Sequence, residues 1–217
     1  SVKKVVTNWI NNNRNFKKES WEFDITAKRI ISYLSNHQLT YDDNDEEYRS
    51  IFDHMIQKQT NHLLNEIKVT KNLEDKIIGC SAIILSGLCY KIEKNYLNIG
   101  LSYLKKITNS SIDNQGFTYS RNINQLIFFL KYFIIIKEWF KESQVEVPVH
   151  IEENIHYLGQ SYAFIKQDTD VDLLFNGNNN SSTPDFDNYL RRLGYKFKNE
   201  NKNCGGYIIL KNKKICL

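Results

Sequence analysis

The sequence predicts a mainly α-helical protein with a short β segment at its C-terminal end. Three observations carry that expectation. The 217 residues hold only two prolines and nine glycines, so few positions break a helix. Apolar residues recur at helical spacing through most of the chain. The pattern then lapses into a polar Asn-Gly-Asn-Asn-Asn-Ser-Ser run at 176–182, after which short apolar runs follow.

The elements follow in order. Val2 to Asn12 makes a short helix that stops at three consecutive asparagines. Trp21 to Asp24 is a connection, and Ile25 to Leu34 a helix with Ile30, Ile31 and Leu34 to one side. Tyr41 to Asp45 is an acidic loop. Asp45, Glu46 and Glu47 open the next helix, where negative charge suits the helix dipole. That helix runs to about Val69, with Tyr48, Phe52, Met55, Leu63 and Ile67 at near-helical spacing and Gln59 interrupting them. Leu73 to Tyr90 carries two adjacent apolar stripes, the mark of an inner helix. Tyr96 to Ile107 follows, and then Leu126 to Phe140, the most apolar run of all and expected at the centre. Pro148 sits where a first helical turn tolerates proline, and Ile151, Ile155, Leu158, Tyr162 and Ile165 define one face. The connections are short, which favours antiparallel helical hairpins. In the tail, Phe186 to Leu193 makes a short helix, and Tyr207 to Leu210 is expected to pair with Ile215 to Leu217 about Asn212-Lys213.

Bulk composition narrows the function classes. The formal charge of +4 is mild and spread out, which suits an anionic partner and is no nucleic-acid footprint. The Leu126 to Ile136 run is too short to span a bilayer and contains Lys131. The four cysteines show no CxxC spacing, and Cys80 and Cys89 read as buried thiols. His37, His54, His62, His150 and His156 make no metal pattern, and neither a P-loop nor GxGxxG is present. No metal or cofactor is expected. The chain opens Ser-Val-Lys-Lys without Met or an apolar leader, so it reads as a segment of a longer protein.

Chemistry concentrates in Asp113-Asn114-Gln115-Gly116-Phe117-Thr118-Tyr119-Ser120-Arg121-Asn122, just before the central helix. Arg121 can clamp a carboxylate or sulfate with two N–H groups. Tyr119 can donate or accept a proton, and Asn122 can hydrogen-bond a carboxylate. The structural alternative is that Ser120 caps the next helix and Arg121 is a solvated first-turn residue. Asn72, Glu74 and Asp75 form a polar helix entry that a capped N-terminus explains equally well. Phe175-Asn176-Gly177-Asn178 is either a simple turn or one that aims amides at a ligand.

Several blocks, in order, resemble the heparinase II/III-like family. They are Asn8-Trp9-Ile10, Trp21, Thr26 to Ile30, Ser81 to Leu88, Asp113 to Asn122, Leu174 to Gly177 and Gly205-Gly206-Tyr207. Asp113 to Asn122 is similar to the family's D-G-G-x-x-x-R-[NS] segment. The resemblance implies an incomplete α/α toroid of antiparallel helical hairpins, residues 1–198, lacking its N-terminal part. Residues 199–217 would begin a truncated β-sandwich. It also implies a bacterial polysaccharide lyase that cleaves uronate-containing, possibly sulfated, glycans by β-elimination. Asn72 would neutralise the uronate and Tyr119 would be the acid/base. Arg121, Asn122, Glu74 and Asn176 would bind an acidic polysaccharide. Periplasm and cytoplasm both remain open.

Three positions depart from the family's pattern. Leu73 stands where its toroid has His, Gln125 where a Tyr commonly follows the Arg, and Cys204 where His often precedes S-G-Y. A non-catalytic glycan-binding or cell-envelope protein is therefore an alternative. A helical interaction scaffold is a third class, disfavoured by the lack of a fixed-period repeat.

Overall fold

A computed structural model of the chain describes residues 2–90, 95–166, 183–198 and 203–208. It is mainly helical. The helices are α1 (Val2–Asn12), α2 (Phe23–Ser35), α3 (His37–Thr40), α4 (Glu46–Glu66), α5 (Leu73–Cys89), α6 (Tyr96–Ser111), α7 (Ile123–Glu142), α8 (Val149–Lys166) and α9 (Thr183–Arg192). A two-residue strand β1 (Asn203–Cys204) pairs antiparallel with β2 (Tyr207–Ile208). The chain divides into two compact units: residues 1–107 with 142–144, and residues 108–141 with 145–217.

In the first unit, α5 is the inner helix that its two apolar stripes predict. Every residue from Ile77 to Leu88 is buried. α2 packs along it most extensively, and α4 packs on both. Two hydroxyls of α5 find partners within this interior. The Ser81 hydroxyl donates to the Ile77 carbonyl at 2.7 Å, and the Ser86 and Thr60 hydroxyls meet at 2.9 Å. Such pairing removes most of the cost of burying a hydroxyl. α5 and α6 touch through Gly87. A Cβ there would lie 2.3 Å from the Leu97 nitrogen, so only glycine permits this backbone approach.

The entries of α4 and α5 are fixed by side-chain caps. The Asp45 carboxylate accepts the Tyr48 N–H at 2.9 Å, and the Asn72 carboxamide oxygen accepts those of Glu74 and Asp75 at 2.8 and 3.1 Å. Asp45 has a second task. With Asp42 it holds the Lys3 ammonium at 2.6 and 2.8 Å, tying α1 to the entry of α4. Asp53 acts similarly on the other side of α4. It accepts the hydroxyls of Tyr41 at 3.0 Å and Tyr90 at 2.7 Å. Burial and then this carboxylate hinder both phenols from ionising, and Tyr41 is pushed up to about 12.

In the second unit, α7 is buried along most of its length, as its composition predicts. α8 buries the face of Ile151, Ile155, Leu158, Tyr162 and Ile165. Pro148 precedes the helix, and its carbonyl accepts the Ile151 N–H at 2.9 Å. Helix α9 is joined to α8 by the Tyr162 hydroxyl on Asp187 at 2.6 Å, and by the Lys166–Asp187 ion pair.

The described residues hold a hairpin that the sequence did not lead us to expect. Tyr207–Ile208 pairs backward with Asn203–Cys204, through Gly205 and Gly206 at φ +60° and +81°. Two consecutive left-handed residues are what a tight two-residue hairpin turn requires, and a Gly-Gly pair supplies them at low steric cost. The expected partner, Ile215 to Leu217, lies outside the described residues. Cys80 is buried as expected, but Cys89 is exposed at the end of α5.

Gly87→Ala should lower stability by about 3 kcal/mol, read from chemical denaturation, because the new methyl meets backbone rather than a yielding side chain. The Lys3 clasp has a defined pH window. Hydrogen bonds from Lys3 hold the Asp42 and Asp45 carboxyls below their usual range, and the two carboxylates raise Lys3. Its contribution is therefore present above the ordinary carboxylate value of about 4 and fades as pH falls through the lowered values. On the alkaline side it persists to about pH 10.5 and fades as pH rises through the raised lysine value. The difference in thermal midpoint between native protein and Lys3→Ala should be flat from about pH 5 to 10 and shrink as pH falls below about 4.

Candidate functional site

The segment between α6 and α7 is organised around one carboxylate. Asp113 Oδ1 accepts the backbone N–H groups of Gln115 and Phe117, each at 2.9 Å. The Asp113 carbonyl accepts the Gly116 N–H at 3.0 Å, and its own N–H donates to the Phe117 carbonyl at 2.8 Å. Asp113 Oδ2 takes Arg121 Nη1 at 2.9 Å. One side chain thus closes the loop and pins the cation that ends it. Ile112 and Thr118 bridge across the loop, and the Tyr119 N–H donates to the Ser111 carbonyl at 2.9 Å.

Gly116 is required twice over. Its φ is +80°, and a Cβ there would lie 2.4 Å from the Tyr157 carbonyl carbon on α8. The loop lies backbone-to-backbone against that helix. Phe117 is fully buried and packs against the Tyr207 ring at 5.8 Å between centroids.

The hairpin docks on the same segment. Gln115 Oε1 accepts the Gly205 N–H at 2.9 Å. The Ser161 hydroxyl donates to the Gln115 carbonyl at 3.0 Å and lies 3.0 Å from Cys204 Sγ. A Cβ on Gly205 would come within 2.6 Å of the Phe117 ring and 2.7 Å of Arg121 Nη1. Burial pushes the Cys204 thiol up, which disfavours a reactive thiolate.

Arg121 is half-buried and paired, and it precedes the first helical turn. It adopts φ +58°, its N–H donates to the Thr118 carbonyl at 2.9 Å, and its guanidinium lies 5.6 Å from the Phe117 ring centroid. The cap of α7 is Asn122, whose Oδ1 accepts the N–H groups of Asn124 and Gln125 at 2.9 and 3.3 Å. Ser120, expected in that role, instead accepts the Asn122 N–H at 3.2 Å and donates to Gln125 Oε1 at 2.7 Å. Asn122 prevails because Arg121 turns the chain immediately before it.

The expected site residues fall into separate groups. Tyr119, Arg121 and Asn122 share the Asp113 loop in the second unit, with Tyr119 59% exposed. Asn72 and Glu74 belong to the first unit, where the Asn72 oxygen is occupied as a cap and Glu74 is half-buried in the first turn of α5. Asn176 lies outside the described residues. Sequence reasoning assigned no role to Asp113, Gln115 or Ser161. The only signal was Asp113 three residues before a glycine, a spacing that allows a carboxylate to close a turn on following amides. Among the described residues, no group of three or more His, Cys, Asp and Glu is placed to hold a metal ion, and no helix is long and apolar enough to cross a membrane.

Chemically, the loop offers a fixed guanidinium, partly neutralised by Asp113 and partly open to solvent, with an exposed phenol two residues away. That set can recognise an anionic group. Comparison with family models, curated proteins and solved structures finds no match to this chain.

Asp113→Ala should cost about 3 kcal/mol in urea denaturation, since it strands a half-buried guanidinium and two amide N–H groups. Asp113→Asn can still accept from the amides and should cost roughly half as much.

Proposed function

We propose that this protein is a heparinase II/III-like protein that acts on acidic polysaccharides by β-elimination. In this reading, residues 1–198 belong to an incomplete α/α toroid and residues 199–217 begin a β-sandwich. The observation that carries it is the Asp113–Arg121 clasp. It gives the one segment most similar to the family's D-G-G-x-x-x-R-[NS] block a rigid form that presents a cation and a phenol together.

Elimination needs a group to quench the uronate carboxylate, a base for the proton beside it, and an acid for the leaving oxygen. The C–H electron pair becomes the new C=C bond, the glycosidic C–O bond breaks, and the leaving oxygen takes a proton. Arg121 and Asn122 would hold and neutralise the substrate carboxylate. Tyr119 would exchange the protons.

A non-catalytic glycan-binding role is the second reading. It is favoured by Gln125, which stands at the family's Tyr position and is occupied in accepting the Ser120 hydroxyl at 2.7 Å.

The test is turnover of heparan-type, uronan and alginate substrates by the full-length protein, followed by absorbance of the unsaturated product. Elimination should appear on at least one substrate and fall about 100-fold or more in Tyr119→Phe, in line with loss of a general acid/base. No product on any substrate would sink the catalytic reading. Binding without turnover, weakened in Arg121→Ala, would establish the second.

A further inference from the structure

Outside the Asp113 loop, the first unit holds a cation without a carboxylate. Arg29 on α2 lies with its guanidinium carbon 3.9 Å from the Trp9 ring centroid, and it is half-buried. Nη2 donates to the Ser20 carbonyl at 2.5 Å, and Nη1 to Gln59 Oε1 on α4 at a long 3.3 Å. Among the described residues no Asp or Glu forms an ion pair with it. Burial lowers its pKa, and no carboxylate acts to raise it. A guanidinium carries five N–H donors. Two are used here, both by neutral oxygens.

Gln59 adds a second, independent anomaly. It is 0% exposed, and its Nε2 has no hydrogen-bond partner. The amide cannot be turned over to cure this, because its nitrogen would then face the Arg29 donor. An unpaired buried amide is costly, and a core position on α4 would ordinarily avoid that cost with an apolar residue. Thr26, one turn before Arg29, also leaves its buried hydroxyl unpartnered. Arg29 and Gln59, in contact with each other, therefore both have donors to spare and no anion to meet.

We infer that Arg29 and Gln59 form a subsite for a carboxylate anion, walled by Trp9. A planar carboxylate can take two N–H donors from the guanidinium fork and accept the Gln59 amide hydrogens once the Arg29 head turns outward. The indole face holds the cation in the observed arrangement. This subsite shares no residue with the Asp113 loop and does not depend on elimination chemistry, so either can fail without the other.

The experiment is a fluorescence titration of the protein with acetate and with glucuronate at constant ionic strength. Acetamide and glucose serve as uncharged counterparts, and Trp9→Phe assigns the signal. A carboxylate should shift the Trp9 emission saturably while its neutral counterpart does not. Gln59→Met, which keeps the side-chain length and removes the orphan donor, should hold its helical circular dichroism and weaken binding about ten-fold. Arg29→Lys should weaken it at least as much. No saturable response to either anion, or unchanged affinity in a folded Gln59→Met, overturns the assignment.

Discussion

The Asp113 carboxylate is the constraint on which the second unit's functional surface depends. It accepts two amides of its own loop and the Arg121 guanidinium. A neutral side chain could close the loop, and a distant carboxylate could pair the arginine, but only an acid at the loop's start does both. The consequence is a left-handed Arg121, a conformation that costs a non-glycine residue about 1–2 kcal/mol and persists only where its surroundings hold it. That backbone twist sets Asn122 at the entrance of α7 and exposes Tyr119. The hairpin then leans on the finished loop, because Gly205 has no side chain to keep it from Phe117 and Arg121.

The two polar centres of the molecule contrast in charge balance. Arg121 has its carboxylate and is close to neutral as a pair. Arg29 has only carbonyl oxygens and an indole face. Hydrogen bonding and cation–π contact keep such a group protonated, but they leave its net charge uncancelled. The mild overall charge of the chain therefore conceals a local, half-buried positive site. The acidic partner proposed above would meet a cation at either centre.

Much of the fold was legible in the sequence, and what was not has a physical reason. α5 and α7 declared themselves because burial on nearly all sides demands apolar residues on more than one stripe. The Asn72 cap was legible because the oxygen and its two amide donors are neighbours in sequence. The pairing of Tyr207–Ile208 with Asn203–Cys204 was missed because the residues beyond Tyr207 look strand-like, while its turn signal was the Gly205-Gly206 pair before it. Ser120 and Asn122 are both good caps, and only the positive φ of Arg121 decides between them. The socket at Arg29 was invisible because Gln59 reads as a mere interruption of an apolar face until α2 and α4 are packed together.

Coupling between Asp113 and Arg121 decides the account most directly. A double-mutant cycle with Asp113→Asn, Arg121→Met and the pair, read by urea denaturation of the intact chain, isolates that interaction from loop closure. The clasp predicts a coupling energy of about 2 kcal/mol, so the double variant should be far less damaged than the sum of the singles. Additive effects, with coupling near zero, would mean that the carboxylate and the guanidinium do not hold each other in solution.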